Sequence, residues 1–354
     1  ITHLNIKNIS QINILIIKLF LLNTQQTKRL FLCRKFDIVF FDKKGERTLK
    51  EKVKKLPLLP GVYLMKDHTG TVIYVGKAKQ LKNRVSSYFR HSKQHSKKVR
   101  RLIHHIADFD FVVVDTELDA LLLECQLIQY YRPFYNRQMN YFSNYNYLHI
   151  TNNGFSLSDM PLARTYGPFR LYKKMPAILR IIEETYQMPW LSEISLLALN
   201  TQLPEMNQLS FEQKKKEIQN LLQGRNKKLI TYLKKRQNHF IEQLNFEKAA
   251  QIQQDIELST AFIKRIQAQK LFLRTPKITF HLPLAADETK QKHYLICYGQ
   301  LAETAITSND ESPYFYYENA KAGLSLKRQL QKEEIDPVLI LMSYHKKIHA
   351  QNEL

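Results

Sequence analysis

Three of the chain's nine glycines fall within one sixteen-residue window, and this window constrains the fold more than any other feature. Gly61, Gly70 and Gly76 flank or separate two short apolar runs, 61–65 and 71–75. A chain of average composition and this length would hold about 25 glycines, so glycine is used here for backbone geometry. Because the residues between the runs are typical of turns, the pattern predicts a tight β-hairpin.

The charge balance indicates a polyanionic partner. The 354 residues include 54 Lys and Arg against 32 Asp and Glu, a net charge of +22. Nucleic acid is the commonest partner of such a chain, and an anionic membrane surface is the alternative. A hydrophobic content of 44% excludes global disorder. No run reaches the roughly 18 apolar residues that a membrane span requires, so we expect no membrane partner.

Cysteine usage points to a reducing compartment. Cys33, Cys125 and Cys297 are scattered along the chain. Three cysteines provide neither a disulfide framework nor a four-cysteine metal site. We therefore expect a cytoplasmic protein, associated with the nucleoid if its partner is DNA.

The length predicts two or three domains. Residues 1–46 lack clear periodicity and are expected to be a poorly structured extension, with a targeting peptide as the alternative. Residues 47–155 show the order β-β-α-α-β-α-β. This order predicts an α/β (α+β) domain with a small mixed or antiparallel sheet flanked by helices.

The rest of the chain divides by its periodicity. Residues 156–210 are expected to be a connector that holds one helix, 173–186, and is irregular over 188–210. Residues 211–270 predict a helical hairpin that turns at 244–246. Residues 271–354 are expected to form a small α/β tail. Its predicted strands are 277–282, 294–298, 314–317 and 338–342, and its predicted helix is 320–332.

Two tyrosines and one glutamate are candidate site residues. Because side chains alternate along a strand, Tyr63 and Tyr74 can share one face of the hairpin, with Gly76 leaving room for a ligand. Glu124 falls within the apolar stripe of a predicted helix, 117–131, which Pro133 ends. A carboxylate in that stripe is costly unless it pairs with a cation or a metal. The sequence alone leaves the metal site and a salt bridge to a lysine equally open.

Basic residues dominate the segment that follows the hairpin. Residues 77–101 contain ten Lys or Arg and no acid, with aromatic residues interleaved. This is the charge pattern of a surface that binds a phosphate backbone, and a solvated pair of basic helices is the alternative. The candidate DNA-binding residues are Lys79, Lys82, Arg90, Lys93, Lys97, Lys98, Arg100 and Arg101.

Two stretches resemble a known family. Residues 59–89 read LPGVYLMKDHTGTVIYVGKAKQLKNRVSSYF, and residues 116–136 read TELDALLLECQLIQYYRPFYN. Their motifs resemble the GIY-YIG nuclease family, and more closely the amino-terminal domain of UvrC-type excision-repair proteins. The resemblance covers about residues 50–190. It implies a metal-dependent phosphodiester hydrolase.

The resemblance also implies a role for each site residue. Tyr63 and Tyr74 match the tyrosines of the family motif, and Tyr74 would activate or position the attacking water. Lys77 and Arg84 would face the scissile phosphate. Glu124 would be the single carboxylate ligand of one divalent ion, Mg or Mn. The remaining position, Asn136, would close the site.

The helical hairpin carries a second resemblance. Residues 242–260 read EQLNFEKAAQIQQDIELST and are similar to the UVR motif, through which UvrC-type proteins pair with the UvrB-type damage-recognition subunit. Phe246, Ala249 and Ala250 would form the contact face. An ordinary intramolecular hairpin is the alternative.

The chain departs from full-length members of the family. It lacks their cysteine cluster, so no iron–sulfur cluster is expected, and residues 271–354 suggest a truncated RNase H-like remnant without its acidic set. The tandem helix-hairpin-helix end is not found. The leading hypothesis is an endonuclease that makes the 3′-side incision of nucleotide excision repair on damaged double-stranded DNA. The alternatives are a non-catalytic UvrB-binding paralogue and a free-standing GIY-YIG endonuclease of another pathway.

Overall fold

The predicted hairpin forms. The computed structural model describes residues 39–40, 49–90, 96–136, 139–140, 142–170, 173–315 and 329–352. Strand β2 (Gly61–Lys66) pairs antiparallel with β3 (Val72–Ala78), and Gly70 adopts a left-handed φ of 81° in the turn between them. This conformation favours glycine and explains its presence there.

The hairpin belongs to a four-stranded antiparallel sheet in the order β1-β4-β2-β3. Strand β1 (Val39–Phe40) is a two-residue piece of the expected extension, and β4 (Asp108–Val113) is central. Strand β3 therefore lies at one edge of the sheet, where its outer backbone groups need other partners.

Helices cover both faces of this sheet. One face, which includes Tyr63 and Met65, packs against buried residues of α1 (Leu49–Lys54), α2 (Leu81–Phe89) and α3 (Lys97–His105). The opposite face packs against α4 (Glu117–Tyr131). The predicted α/β architecture of this region is confirmed.

The bounds of α4 follow from local chemistry. Thr116 and Asp119 form a reciprocal capping box at its start. Arg132 takes a left-handed conformation with φ 47° at its end, immediately before Pro133. The helix matches the predicted range 117–131.

A second antiparallel sheet belongs to the same compact unit, which comprises residues 1–140, 277–324 and 343–354. Its strands are β8 (Ile278–Pro283), β9 (Lys290–Cys297) and β10 (Gln300–Ser308), in the order β10-β9-β8. Two of these strands fall where the sequence predicts strands, and β10 was not among the predicted ones.

The second compact unit, residues 141–276 and 325–342, is mostly helical. Its small antiparallel sheet has the order β6-β5-β7. Its elements are β5 (Asn146–Ile150), β6 (Phe155–Ser158), β7 (Tyr166–Phe169), α5 (Met175–Thr185), α6 (Glu193–Gln202), α7 (Phe211–Leu222), α8 (Lys228–Glu242) and α9 (Phe246–Arg274). Helices α5, α7, α8 and α9 share one core, which includes Ile182, Leu221, Leu233 and Phe262.

The prediction that residues 188–210 are irregular is wrong. It contains α6 and a 3₁₀ helix, Pro204–Gln208. The Ser192 hydroxyl caps α6 by accepting from the backbone N–H of Ser195, and the Gln187 amide donates to the carbonyls of Leu199 and Leu203. Side-chain capping thus stabilises a helix whose apolar pattern is weak.

The prediction of a strand over residues 338–342 is also wrong, because this segment lies in α10 (Lys332–Asn352). Ile335, Val338, Leu339 and Leu341 are buried. A short apolar run does not distinguish a buried strand from a buried helix. Residues 314–315 form no strand, and the remaining predicted elements between 316 and 328 lie outside the described residues.

Within the described part of the chain, no helix has both the length and the hydropathy to cross a membrane. Cys125 and Cys297 are buried and form no disulfide among the described residues, and Cys33 lies outside those residues.

Candidate active site

The two predicted tyrosines share one face of the hairpin. The register pairs Tyr63 with Gly76 and Met65 with Tyr74, so both tyrosines lie on the α2 side of the sheet. Their ring centroids are 6.1 Å apart. Tyr63 is fully buried, whereas Tyr74 is half-buried.

Gly76 makes room for a tyrosine rather than for a ligand, contrary to our expectation. A Cβ atom on Gly76 would lie 2.4 Å from the Tyr63 hydroxyl oxygen and 2.9 Å from Cε1 of Tyr74. Both distances are shorter than real van der Waals contacts. Glycine at this position is therefore a condition for the packing of the two rings.

A third tyrosine completes the cluster, and sequence reasoning missed its role. The Tyr88 hydroxyl lies 2.8 Å from that of Tyr63, and its ring centroid lies 6.4 Å from that of Tyr74. The guanidinium carbon of Arg84 lies 5.2 Å from the centre of the Tyr88 ring. The available signal was the spacing of four between Arg84 and Tyr88, which places both on one face of α2.

Tyr63 and Tyr74 are neutral hydroxyl groups. Burial raises the pKa of Tyr63 far above its ordinary value, and the neighbouring Tyr88 and Tyr74 raise it further. Burial also raises the pKa of Tyr74, with contributions from Tyr88 and Glu124.

The outer edge of β3 is satisfied by α4 and the loop that follows it. The Tyr135 backbone N–H donates to the Ile73 carbonyl at 3.0 Å. The Asn136 side chain accepts from the Val75 N–H at 2.9 Å and donates to the Val75 carbonyl at 2.8 Å. Asn136 thus acts on the edge of the strand as a neighbouring strand would.

Glu124 continues this series along the edge. Its Oε1 accepts the backbone N–H of Lys77 at 3.0 Å. Among the described residues, Oε2 has no hydrogen-bond donor and neither carboxylate oxygen forms a salt bridge. Burial raises the pKa of Glu124, although its hydrogen bond to Lys77 and the positive charges of Lys77 and Arg84 oppose the shift.

The donor set fits one divalent cation whose other ligands are water. A carboxylate with one fixed and one unpartnered oxygen is a suitable single ligand for such an ion. Within the described residues no group of three His, Cys, Asp or Glu side chains could hold a metal. The salt bridge that the sequence left open for Glu124 is not formed in this part of the chain.

A second carboxylate on α4 binds the nearby lysines, and it was missed by sequence reasoning. Glu117 contacts Lys77 Nζ at 2.5 Å and Lys79 Nζ at 3.0 Å. Burial would raise the pKa of Glu117, but its hydrogen bonds to the two ammonium groups lower it overall. Its spacing of seven from Glu124, two helical turns, was the available signal.

Comparison with known proteins relates the residues of this site to a family. Residues 59–137 match the family model described as the UvrC-like GIY-YIG domain. These residues form a UvrC-like GIY-YIG domain. The matched range contains the predicted metal ligand, Glu124, and each predicted catalytic residue, namely Tyr63, Tyr74, Lys77, Arg84 and Asn136.

The similarity extends beyond the domain. The chain is 33% identical to UvrABC system protein C of Clostridium tetani over 262 residues, which are 67% of this chain and 41% of that protein. It is 37% identical to the same protein of Clostridium kluyveri over 248 residues, 63% of this chain and 39% of that protein. The chain thus spans about two fifths of these curated relatives. The solved GIY-YIG domain of Thermotoga maritima UvrC, described as bound to its catalytic divalent cation magnesium, is 38% identical, with 26% of this chain and 99% of that chain covered and a TM-score of 0.24.

The basic residues of the GIY-YIG domain lie on the surface. Lys79 is exposed and paired with Glu117. Six other predicted DNA-binding residues are also exposed, namely Lys82, Arg90, Lys97, Lys98, Arg100 and Arg101. Lys93 lies outside the described residues.

The helical hairpin forms through α8 and α9. Leu244 takes a left-handed φ of 56° in the turn, and the Asn245 side chain caps α9 by accepting from the Lys248 N–H. Phe246 is 64% exposed and Ala250 is exposed one turn later, whereas Ala249 is buried in the core of the unit. The structure therefore brings Phe246 and Ala250 to one surface and places Ala249 on the interior side.

Proposed function

We propose that this chain is a metal-dependent DNA endonuclease of nucleotide excision repair, which hydrolyses one phosphodiester bond on the 3′ side of a lesion. The observation that carries the proposal is the Glu124 carboxylate. One of its oxygens is fixed by a backbone N–H, and the other has no hydrogen-bond donor among the described residues. The similarity to UvrC proteins supports the repair pathway.

The residues around Glu124 are suited to phosphodiester hydrolysis. A divalent ion, magnesium or manganese, held there would neutralise charge on the phosphate and lower the pKa of a bound water. Tyr74 orients the attacking water through its hydroxyl. Arg84 and Lys77 stabilise negative charge that develops on the phosphate oxygens. Asn136 is a positioning residue, because both of its polar groups are bound to Val75.

Two surfaces extend this proposal to partners. The exposed basic residues of α2 and α3 bind the backbone of double-stranded DNA without reading its sequence. The exposed Phe246 and Ala250 of the hairpin dock on a UvrB-type damage-recognition subunit, which delivers the lesion. Under this proposal the protein works in the cytoplasm, at the nucleoid.

An incision assay tests the proposal. The substrate is an end-labelled duplex with a single lesion, incubated with the full chain and Mg²⁺, with and without the damage-recognition subunit. We expect one cut on the 3′ side that requires both the subunit and the metal, and that chelation abolishes.

Two other outcomes would support the alternatives. Binding of the subunit without any cut indicates a non-catalytic paralogue. Cutting of undamaged duplex in the absence of the subunit indicates a free-standing nuclease.

A further inference from the structure

The carboxyl-terminal sheet contacts the GIY-YIG domain through a buried polar network. Lys292 and Tyr294 of β9 both reach Asp119, in the first turn of α4. Asp119 and Tyr294 are fully buried, Lys292 is 4% exposed and Thr116 is 3% exposed. All of these residues belong to the first compact unit.

The hydroxyl groups form a closed ring of hydrogen bonds. The Tyr294 hydroxyl donates to Asp119 Oδ1 at 3.0 Å and lies 2.6 Å from the Thr116 hydroxyl. Because Tyr294 has one proton to donate, Thr116 is the donor in the second contact. The Asp119 N–H completes the ring by donating to Thr116 Oγ1 at 3.2 Å.

The ammonium group of Lys292 adds charge to the network. Its Nζ lies 3.0 Å from Asp119 Oδ2 and 2.7 Å from Asp115 Oδ2. Although burial alone would lower the pKa of Lys292, the two carboxylates together raise it. A buried ion pair is weak evidence for added stability, but its directional contacts fix one arrangement of the elements that it joins.

The same helix is held from the other side by β3. Glu117 contacts the Lys77 and Lys79 ammonium groups, and Glu124 accepts the Lys77 N–H. At 3.6 residues per turn, positions 117 and 124 share one face of α4, while position 119 lies about 200° around the helix from position 117. Helix α4 therefore has polar contacts with β3 on one side and with β9 on the other, in addition to its apolar packing against the first sheet.

We propose that Lys292 and Tyr294 are positioning residues of the nuclease site, which fix the rotation of α4 and so hold the Glu124 carboxylate against β3. This inference deepens the proposed function and rests on it. It also gives residues 277–308 a role in the nuclease site that is independent of any second nuclease activity.

The test uses Tyr294→Phe in the full chain. This variant keeps the ring, which stacks on Phe280 at a centroid distance of 5.2 Å, and removes only the hydroxyl. Lys292→Met is the second variant and Lys292→Arg its rescue. The matched control is Lys290→Met, because Lys290 lies on the same strand and its ammonium group makes an exposed ion pair with Asp287.

The first measurement is amide hydrogen exchange of β3 in the metal-free, DNA-free protein. The Lys77 amide reports on Glu124 directly, because Glu124 accepts its hydrogen bond. We expect exchange at Lys77 to become about tenfold faster in Tyr294→Phe, the scale of removing one hydrogen bond from the network, and to be unchanged in Lys290→Met. Unchanged exchange in both Tyr294→Phe and Lys292→Met would overturn the inference.

The second measurement is the single-turnover cleavage rate at saturating DNA. We expect the rate to fall in Tyr294→Phe while the Kd for DNA stays constant, and the Mg²⁺ concentration for half-maximal cleavage to rise. A lower Tm with an unchanged rate would show that the network is only structural. If the wild-type chain does not cleave, the proposed function fails, and the exchange measurement alone then decides whether the network positions Glu124.

Discussion

The nuclease site and the helical hairpin present their key side chains in opposite ways. Tyr63 is fully buried, and Glu124 is fixed by a backbone N–H before any ligand arrives. Phe246 is 64% exposed at the start of α9. Chemistry on a phosphodiester requires groups that are already in place, whereas docking requires an apolar side chain that another protein buries. The two regions therefore respond differently to the loss of one side chain.

The largest expected effect is on catalysis. Glu124→Gln keeps an oxygen that accepts the Lys77 N–H, so the fold is retained, but it removes the charge that binds the metal. We expect Mg²⁺-dependent cleavage to fall by at least about a hundredfold, with DNA affinity and circular dichroism unchanged. The exposed Glu193→Gln on α6 is the control. Cleavage at the wild-type rate would show that Glu124 is not the ligand.

The next effect is on partner binding. Phe246→Ala should weaken binding of the UvrB-type subunit by about 2 kcal/mol or more, roughly thirtyfold, because exposed aromatic anchors dominate small interfaces. Calorimetric titration of the full chain measures it. Leu271→Ala is the matched control, because Leu271 is 70% exposed near the other end of the same helix.

Two results for Phe246→Ala would contradict the prediction about partner binding. If Phe246→Ala lowers Tm strongly, Phe246 belongs to the core of the hairpin and the contrast between the two regions fails. If the variant binds the subunit normally, the UVR interpretation of this segment is wrong. The affinity of the chain for DNA alone should be unaffected in either case.

A smaller effect concerns the basic surface. Replacing Lys97, Lys98 and Arg100 together with alanine should weaken binding to any duplex. It should also flatten the dependence of log K on log salt by about 0.9 for each phosphate that the protein no longer neutralises. The control removes equal charge from exposed positions of the helical unit, Lys227, Lys234 and Lys264. An unchanged slope would mean that α3 is only a solvated basic helix.

The sequence predicted the elements of the GIY-YIG domain better than its contacts. The end of α4 followed from Pro133, and the shared face of Tyr63 and Tyr74 followed from strand alternation. The role of Gly76 was misjudged, because the space beside it is filled by a ring from the paired strand. Only a three-dimensional register reveals such a contact.

Long-range and helical features were harder to predict. The contacts of Asp119 with β9 join positions more than 170 residues apart, and no local pattern encodes them. Helix α6 was missed because its stability comes from the Ser192 cap and from Gln187. The segment 338–342 was misassigned because a short buried run has no diagnostic period.

The smallest expected effect distinguishes the two glutamates of α4, Glu117 and Glu124. Glu117 contacts two ammonium groups, which lower its pKa in the folded chain. A carboxyl group whose pKa is lowered by folding stabilises the protein at pH values above its unfolded pKa, about 4.3. This contribution is lost as the pH falls through the folded value. Because the side chain is partly exposed, it should be at most about 1 kcal/mol.

The test of this contribution is chemical denaturation of the wild type and Glu117→Gln at several pH values. The difference between their free energies of unfolding should be greatest near pH 7, and it should shrink as the pH falls below about 4.3. A difference that does not change with pH would mean that Glu117 acts through packing rather than through its charge. Glu117 would then hold α4 against β3 by shape, and the lysines beside it would be as available to DNA as the exposed lysines of α3.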